Sequence, residues 1–147
     1  MTGLYNRYYF EELAQANRNT LVLPSTIISA DCDKLKQIND RFGHAAGDQY
    51  ILYARDAIQT ALPEGSFLFR MGGDEFLAFL PGVDEEEASA YIERINENVT
   101  NYVNDDFALK LSVGGYTIKD KNTTIEKAYL YSDKAMYEVK RAHKSGC

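Results

Sequence analysis

The sequence predicts an α+β domain, an antiparallel sheet with helices packed around it and one extra helix at each end of the chain. Three observations predict it. Short apolar, β-favouring runs near residues 25–30, 67–69, 76–80 and 109–113 alternate with longer stretches of helical period. Two of those runs face each other across Gly72-Gly73, where a two-residue hairpin turn would fall. The resulting order of core elements, β-α-β-β-α-β, is the ferredoxin-like arrangement.

Each element has its own warrant. Residues 6–19 carry Tyr9, Phe10, Leu13 and Ala14 at helical spacing, with Asn6 as a cap. Leu21 to Pro24 break that helix, and Ser25 to Ala30 form a short buried strand running into Asp31-Cys32-Asp33. Lys34 to Phe42 read as one or two irregular helical turns closed by Gly43. From Ala45 to Leu62 the positions Ile51, Leu52, Ala54, Ala57, Ile58, Ala61 and Leu62 form one apolar stripe, which Pro63-Glu64-Gly65 ends. After the hairpin, Asp84 to Tyr102 repeats Ala88, Tyr91, Ile92, Ile95, Val99 and Tyr102 at three and four behind an acidic first turn. Leu109, Leu111 and Val113 alternate with Lys110 and Ser112 as a half-buried strand, and Gly114-Gly115 predicts a bulge or a close backbone approach. The last helix runs from about Thr124 to Ala142 with Ile125, Ala128, Ala135, Met136 and Val139 inward.

Bulk properties exclude several classes. The 147 residues make one domain, expected to occupy 1–147 without a linker or internal repeat, and long enough to bury a core without disulfides. A net charge of -6 argues against nucleic-acid binding through a broad basic surface. Two cysteines, Cys32 in an apolar run and Cys147 at the end, give no disulfide framework and suit a reducing cytoplasm. No apolar run approaches the roughly 20 residues of a membrane helix, so no membrane contact by this segment is expected.

The chemistry is expected where strand and hairpin meet. With the first strand beside the hairpin, Asp31 and Asp74 converge as hard oxygen ligands for Mg²⁺, which usually shares its shell with substrate phosphates. The Cys32 sulfur is too soft for that ion, but its main-chain carbonyl is suitable. Asp33 is expected as a helix N-cap rather than a ligand. Main-chain N–H groups of Lys34, Leu35 and Lys36 at a helix start would receive phosphate, helped by the dipole and by a lysine of the last helix. Arg70 is assigned a cross-strand charge partner, with a phosphate contact as its alternative. Against this stands a purely structural hairpin, since Gly-Gly and flanking acids are common in turns.

Gly72-Gly73-Asp74-Glu75-Phe76 spells the signature of the GGDEF family of diguanylate cyclases, and other blocks resemble that family in order and spacing. They are Thr2-Gly3-Leu4-Tyr5-Asn6-Arg7, then Asp31-Cys32-Asp33 with Ile38-Asn39-Asp40, Gly43-His44-Ala45-Ala46-Gly47-Asp48, and Ala135-Met136-Tyr137-Glu138-Val139-Lys140. The resemblance spans essentially the whole chain. It implies condensation of two GTP into cyclic di-GMP with release of pyrophosphate, at a site shared by two facing copies of the domain in a transient homodimer. Asp31, the Cys32 carbonyl and Asp74 would hold two Mg²⁺, with Mn²⁺ as a substitute. Asn39 and Asp48 would read guanine, for an Asp accepts from N1–H and N2–H₂ and an Asn both donates and accepts. Lys140 and Lys144 would contact the triphosphate, and Glu75 with Asp74 would form the catalytic pair, Glu75 helping to activate the 3′-OH.

Three departures bear on the expectation. His143-Lys144-Ser145 stands where the family usually has Gly-Arg-Asn, putting a point charge in place of a bidentate Arg. Pro63 and Ser66 occupy the positions of the family's product-inhibition Arg and Asp, so that site is expected to be absent. The chain also begins inside the entry motif, as if cut from a longer cytoplasmic or membrane-anchored sensor protein with an N-terminal sensory or dimerising domain. The alternative function is a catalytically silent GTP-binding or dimerisation module. For Lys140 and Lys144 the plain alternative is charge complementing a helix C-terminus.

Overall fold

The structure, a computed structural model, describes residues 2–145. Cys147 lies outside them. The strands are β1 (Tyr5–Asn6), β2 (Ser25–Cys32), β3 (Phe67–Arg70), β4 (Glu75–Pro81) and β5 (Leu111–Ile118). The helices are α1 (Arg7–Ala16), α2 (Leu35–Phe42), α3 (His44–Gln59), α4 (Glu85–Val99) and α5 (Ile125–Ser145). They build one sheet in the order β1-β3-β4-β2-β5, in which β2, β3, β4 and β5 pair antiparallel and the two-residue β1 joins β3 in parallel. The βαββαβ core is therefore the expected one.

β2 lies inside that sheet between β4 and β5, and every one of its residues is buried because helices cover both faces. Ile28, Ala30 and Cys32 pack with Tyr50, Ala54, Ile58 and Ile95 from α3 and α4. Ile27 packs on the other side with Phe10 and Ala14 of α1 and Ile125 and Ala128 of α5. The two helices outside the core pattern thus close the sheet face that a bare ferredoxin-like unit leaves open. Such two-sided burial favours consecutive apolar residues over strict alternation, as Ile27-Ile28 shows.

Capping explains where the helices start. The Asn6 side chain accepts from Tyr9 N at 3.2 Å, so α1 begins where the sequence predicts, although it ends at Ala16 rather than Asn19. Asp84 and Glu87 form a reciprocal capping box at the start of α4.

Other local expectations change. Strand β3 ends at Arg70 and β4 begins at Glu75, and Met71 N donates to Glu75 O at 2.8 Å, so the connection is the four-residue loop 71–74 rather than a two-residue turn. β5 begins at Leu111 and reaches Ile118, and Ser112 is fully buried instead of solvated. Gly114-Gly115 forms no bulge, since the β2–β5 register runs unbroken from Ser25↔Ile118 to Cys32↔Leu111. The pair provides close approach. A Cβ on Gly114 would lie 2.2 Å from Met136 N of α5, and one on Gly115 would lie 3.0 Å from Ile92 Cδ1 of α4. Gly114 therefore lets α5 lie directly on β5, which brings the far half of that helix over the end of β2.

Candidate active site

The register places the acidic residues before any side chain is considered. Asp31 pairs with Glu75 on one side and Ser112 on the other, and Cys32 N donates to the Asp74 carbonyl at 2.8 Å. The hairpin loop is thereby tied to the end of β2, and Asp31, Asp74 and Glu75 share one edge, as expected from strand adjacency.

α5 grips that edge from above. Lys140 Nζ donates to Asp31 Oδ2, Tyr129 Oη donates to Glu75 Oε1 at 2.5 Å, and His143 Nδ1 lies 3.0 Å from Asp33 Oδ2. Positions 129, 136, 140 and 143 fall on one helix face, with buried Met136 over Gly114. Asp33 is consequently not the N-cap of α2. Its carboxylate accepts from Ser112 Oγ at 2.8 and 2.9 Å, which accounts for the burial of both groups. The Tyr50 hydroxyl completes the support, donating to Asp33 O at 2.5 Å and accepting from Lys110 N at 3.0 Å.

Electrostatics sets Asp31 apart. Burial pushes its pKa up from 3.8 to about 6, opposed by the Lys140 hydrogen bond and reinforced by the charges of Asp74 and Glu75. Its Oδ1 is buried and has no hydrogen-bond partner among the described residues. Such an oxygen is costly to leave unpaired, and a cation at the edge would satisfy it. Burial also drives the Cys32 thiol pKa up, so the side chain is an inert core group and only its carbonyl suits a hard cation. Among the described residues no three His, Cys, Asp or Glu side chains are gathered as a metal cage. Mg²⁺ held partly by substrate phosphates needs only one or two carboxylates.

A cleft of about 780 Å³ opens beside this edge, lined by residues that include Cys32, Lys34, Leu35, Lys36, Asp74, Lys140 and Lys144. Lys34 has a left-handed backbone, φ 69°, and α2 starts without a side-chain cap. A non-glycine residue in that region costs about 1–3 kcal/mol, and such strain concentrates at ligand sites. The uncapped first turn, whose Leu35 and Lys36 line the cleft, leaves N–H groups without a side-chain partner.

Not every expected site residue lines that cleft. Asn39 and Asp48 lie at the α2–α3 corner, where the Asn39 amide rests on Gly47. Glu75 turns toward Tyr129, whose hydroxyl also accepts from Arg7 Nη2 at 3.2 Å. Among the described residues Arg70 has no cross-strand carboxylate partner. It donates to the carbonyls of Gly72 at 3.2 Å and Gly73 at 2.7 Å and so braces the loop from within. Sequence reasoning missed Tyr129, Ser112 and Gly47. The available signal was parity along β2, which puts Asp31 and Asp33 on the face that receives α5.

Fold and site define a class: an α+β domain with an acidic strand end, an uncapped helix start and lysines around a nucleotide-sized cleft. The comparisons narrow it to one family. The family model for "Diguanylate cyclase, GGDEF domain" matches residues 1–146, and the chain belongs to that family. It is 32% identical to the probable diguanylate cyclase DgcT of Escherichia coli (strain K12), over 95% of this chain and 32% of the relative. A solved sensory box/GGDEF family protein from Caulobacter crescentus CB15 shares 30% identity with a TM-score of 0.80, over 96% of both chains. The active GGEEF domain of a diguanylate cyclase from Vibrio cholerae shares 28% with a TM-score of 0.79, over 94% of this chain and 91% of that one. The chain spans about a third of the length of DgcT. Among the described residues no helix is long and apolar enough to cross a membrane.

Proposed function

We propose that this chain is a diguanylate cyclase domain that condenses two GTP into cyclic di-GMP and releases two pyrophosphates. The observation that carries the reading is the convergence of Asp31 and Asp74 on one strand edge, beside a cleft that Asp74 and Cys32 line and whose other walls are the start of α2 and the lysines of α5. Family membership supports the same reaction.

In this reading Asp31, the Cys32 carbonyl and Asp74 would hold the divalent cations, Mg²⁺ or in its place Mn²⁺, and Asp31 Oδ1, without a partner among the described residues, suits that role. When bound, the cations supply Lewis-acid stabilisation of charge on the α-phosphate and the leaving pyrophosphate. The N–H groups of Lys34, Leu35 and Lys36 receive the phosphate tail at the dipole end of α2. Lys140, which would leave Asp31 if that carboxylate held a cation, contacts the triphosphate, and Lys144 adds charge at the rim. Asn39 and Asp48 read the guanine edge, where adenine presents the wrong donors. Glu75, aimed by Tyr129, accepts the 3′-OH proton. The freed oxygen forms a new bond to the α-phosphorus of the facing GTP as that GTP's bond to pyrophosphate breaks, and the mirror step closes the ring.

Each copy contributes half the site, so a second copy is the required partner, in a transient homodimer brought together by further domains of a longer cytoplasmic or membrane-anchored sensor. Residues 1–147 form the catalytic unit of that protein. No nucleic acid or membrane contact belongs to this segment. Pro63 and Ser66 leave it without product inhibition of the family type.

The test is incubation with GTP and Mg²⁺ at high protein concentration, then again after forced dimerisation, with Asp74→Ala as control and products identified by mass. Cyclic di-GMP from the parent but not the control is expected. Bound intact GTP without pyrophosphate release, even as a forced dimer, would instead establish a silent binding module.

A further inference from the structure

Gly47 sits in the first turn of α3 with ordinary helical backbone, so no positive φ demands glycine there. It is buried, and its neighbour Asp48 is exposed. A Cβ built on it would lie 1.7 Å from Asn39 Oδ1, 2.8 Å from its Cγ and 3.3 Å from its Nδ2. The space a side chain would fill is therefore occupied by the Asn39 amide. Gly43, with φ 93°, turns the chain between the two helices, and its N–H donates to the Asn39 carbonyl at 2.9 Å. The backbone of Asn39 is fixed by that bond and its side chain by the absence of one at 47.

We propose that Gly47 is a positioning residue for base selection, seating the Asn39 amide against α3 beside Asp48. This rests on the reading of Asn39 and Asp48 as the guanine-recognising pair. The two groups descend from different helices, so their relative placement depends on how closely α2 and α3 approach at this corner. With no atom at Cβ, the amide lies directly on the α3 backbone, one residue from the Asp48 carboxylate. A fixed donor and acceptor beside a carboxylate is a preorganised match to the guanine edge, and preorganisation is where affinity and discrimination come from at hydrogen-bonding sites. Any side chain at 47 displaces the amide. The displaced group is the tip of a flexible side chain, so the fold accommodates the change and only the reader moves.

That asymmetry makes the idea testable. Calorimetric titrations with GTP and with ATP in Mg²⁺, and thermal melts, are run on the chain and on Gly47→Ala, Asn39→Ala and the double variant. Alanine favours helix over glycine, so Gly47→Ala is expected to melt at or above the parent. It should weaken GTP about tenfold, the scale of one lost buried hydrogen bond, and leave ATP unchanged. Asn39→Ala should do the same, and the double variant no more than either single, since Gly47 acts through Asn39. Parent-like GTP binding by Gly47→Ala with loss in Asn39→Ala overturns the seat alone. Parent-like binding by both overturns the guanine reading and the seat with it. A lower melting temperature with GTP and ATP weakened equally assigns Gly47 to the fold and also overturns the proposal.

Discussion

The Tyr129 hydroxyl donates to Glu75 Oε1 at 2.5 Å while accepting from Arg7 Nη2 at 3.2 Å. The Arg7 guanidinium also lies 5.8 Å from the centre of the Tyr129 ring. One carboxylate oxygen of the proposed proton acceptor is thus aimed by a chain running from α1 through α5 to β4. Burial, then the Glu75 hydrogen bond and charge, push the Tyr129 pKa up, so the phenol remains a donor throughout the neutral range. Tyr129→Phe keeps the ring packed on Phe10 and removes only the hydroxyl. The expected result is a kcat lowered about three- to tenfold, on the order of 1 kcal/mol, with the KM for GTP unchanged. Steady-state pyrophosphate release measures both; an unchanged kcat would remove Tyr129 from the mechanism.

Asp31 trades stability for its role. An acid whose folded pKa is raised from 3.8 to about 6 keeps, in the fold, a proton that the unfolded chain has already released. Stability therefore falls as pH rises through that window, with the penalty absent below the lower value and complete above the upper. Its size is up to about 3 kcal/mol. Asp31→Asn retains the acceptor for Lys140 and cannot ionise. Without divalent cations it is expected to melt several degrees above the parent at pH 7.5, the difference closing as pH approaches 4. A parent that melts no lower than the variant at pH 7.5 would show that Asp31 is not strained in the free protein. Turnover should be lost in either case.

Much of this was legible beforehand because it follows from order and parity. A strand ending in Asp31 beside a hairpin ending in Asp74 must bring those residues together if the strands are neighbours, and Cys32 N bonded to Asp74 O shows that they are. The partners of the carboxylates were not legible. Asp33 looks like a cap because it precedes a helix, yet Ser112 and His143, from β5 and α5, compete for it and win. Ser112 reads as a solvated strand position because the burial of β5 depends on α5, and the seat of α5 depends on Gly114. Arg70 reads as a cross-strand charge, but the four-residue loop offers carbonyls closer than any acid. Long-range contacts decide these cases, and local pattern does not contain them.

Lys140 stands where a cation would otherwise be needed. Burial works against its charge, yet the Asp31 hydrogen bond and the charges of Asp31, Asp33 and Asp74 hold its pKa above the usual lysine value. Lys140→Met keeps the stem and leaves Asp31 ionised without a partner, a loss of roughly 2 kcal/mol or more for a largely buried pair. The expected outcome is a lowered melting temperature at pH 7.5 that recovers at pH 5, where Asp31 takes up a proton, and recovers in part with Mg²⁺ at pH 7.5. Equal destabilisation at both pH values would mean that the lysine contributes packing rather than charge.

The glycine pair gives the sharpest separation of fold from function. Neither Gly72 nor Gly73 has a positive φ, and a Cβ on either would meet nothing within 4 Å. Both are exposed, at the tip of a loop whose Arg70 braces touch only their carbonyls. Nothing within the chain therefore requires glycine, and replacing it with alanine should leave stability unchanged or raise it by about 0.4–1 kcal/mol through the unfolded state. What glycine preserves is open space beside Asp74, where on the proposed reading a triphosphate approaches the backbone closely. Gly73→Ala is expected to keep or raise the melting temperature while lowering kcat/KM for GTP at least about tenfold, the equivalent of 1.4 kcal/mol. Full activity in that variant would return the pair to the role of an ordinary loop, and a fall in melting temperature would point to a contact this geometry does not contain.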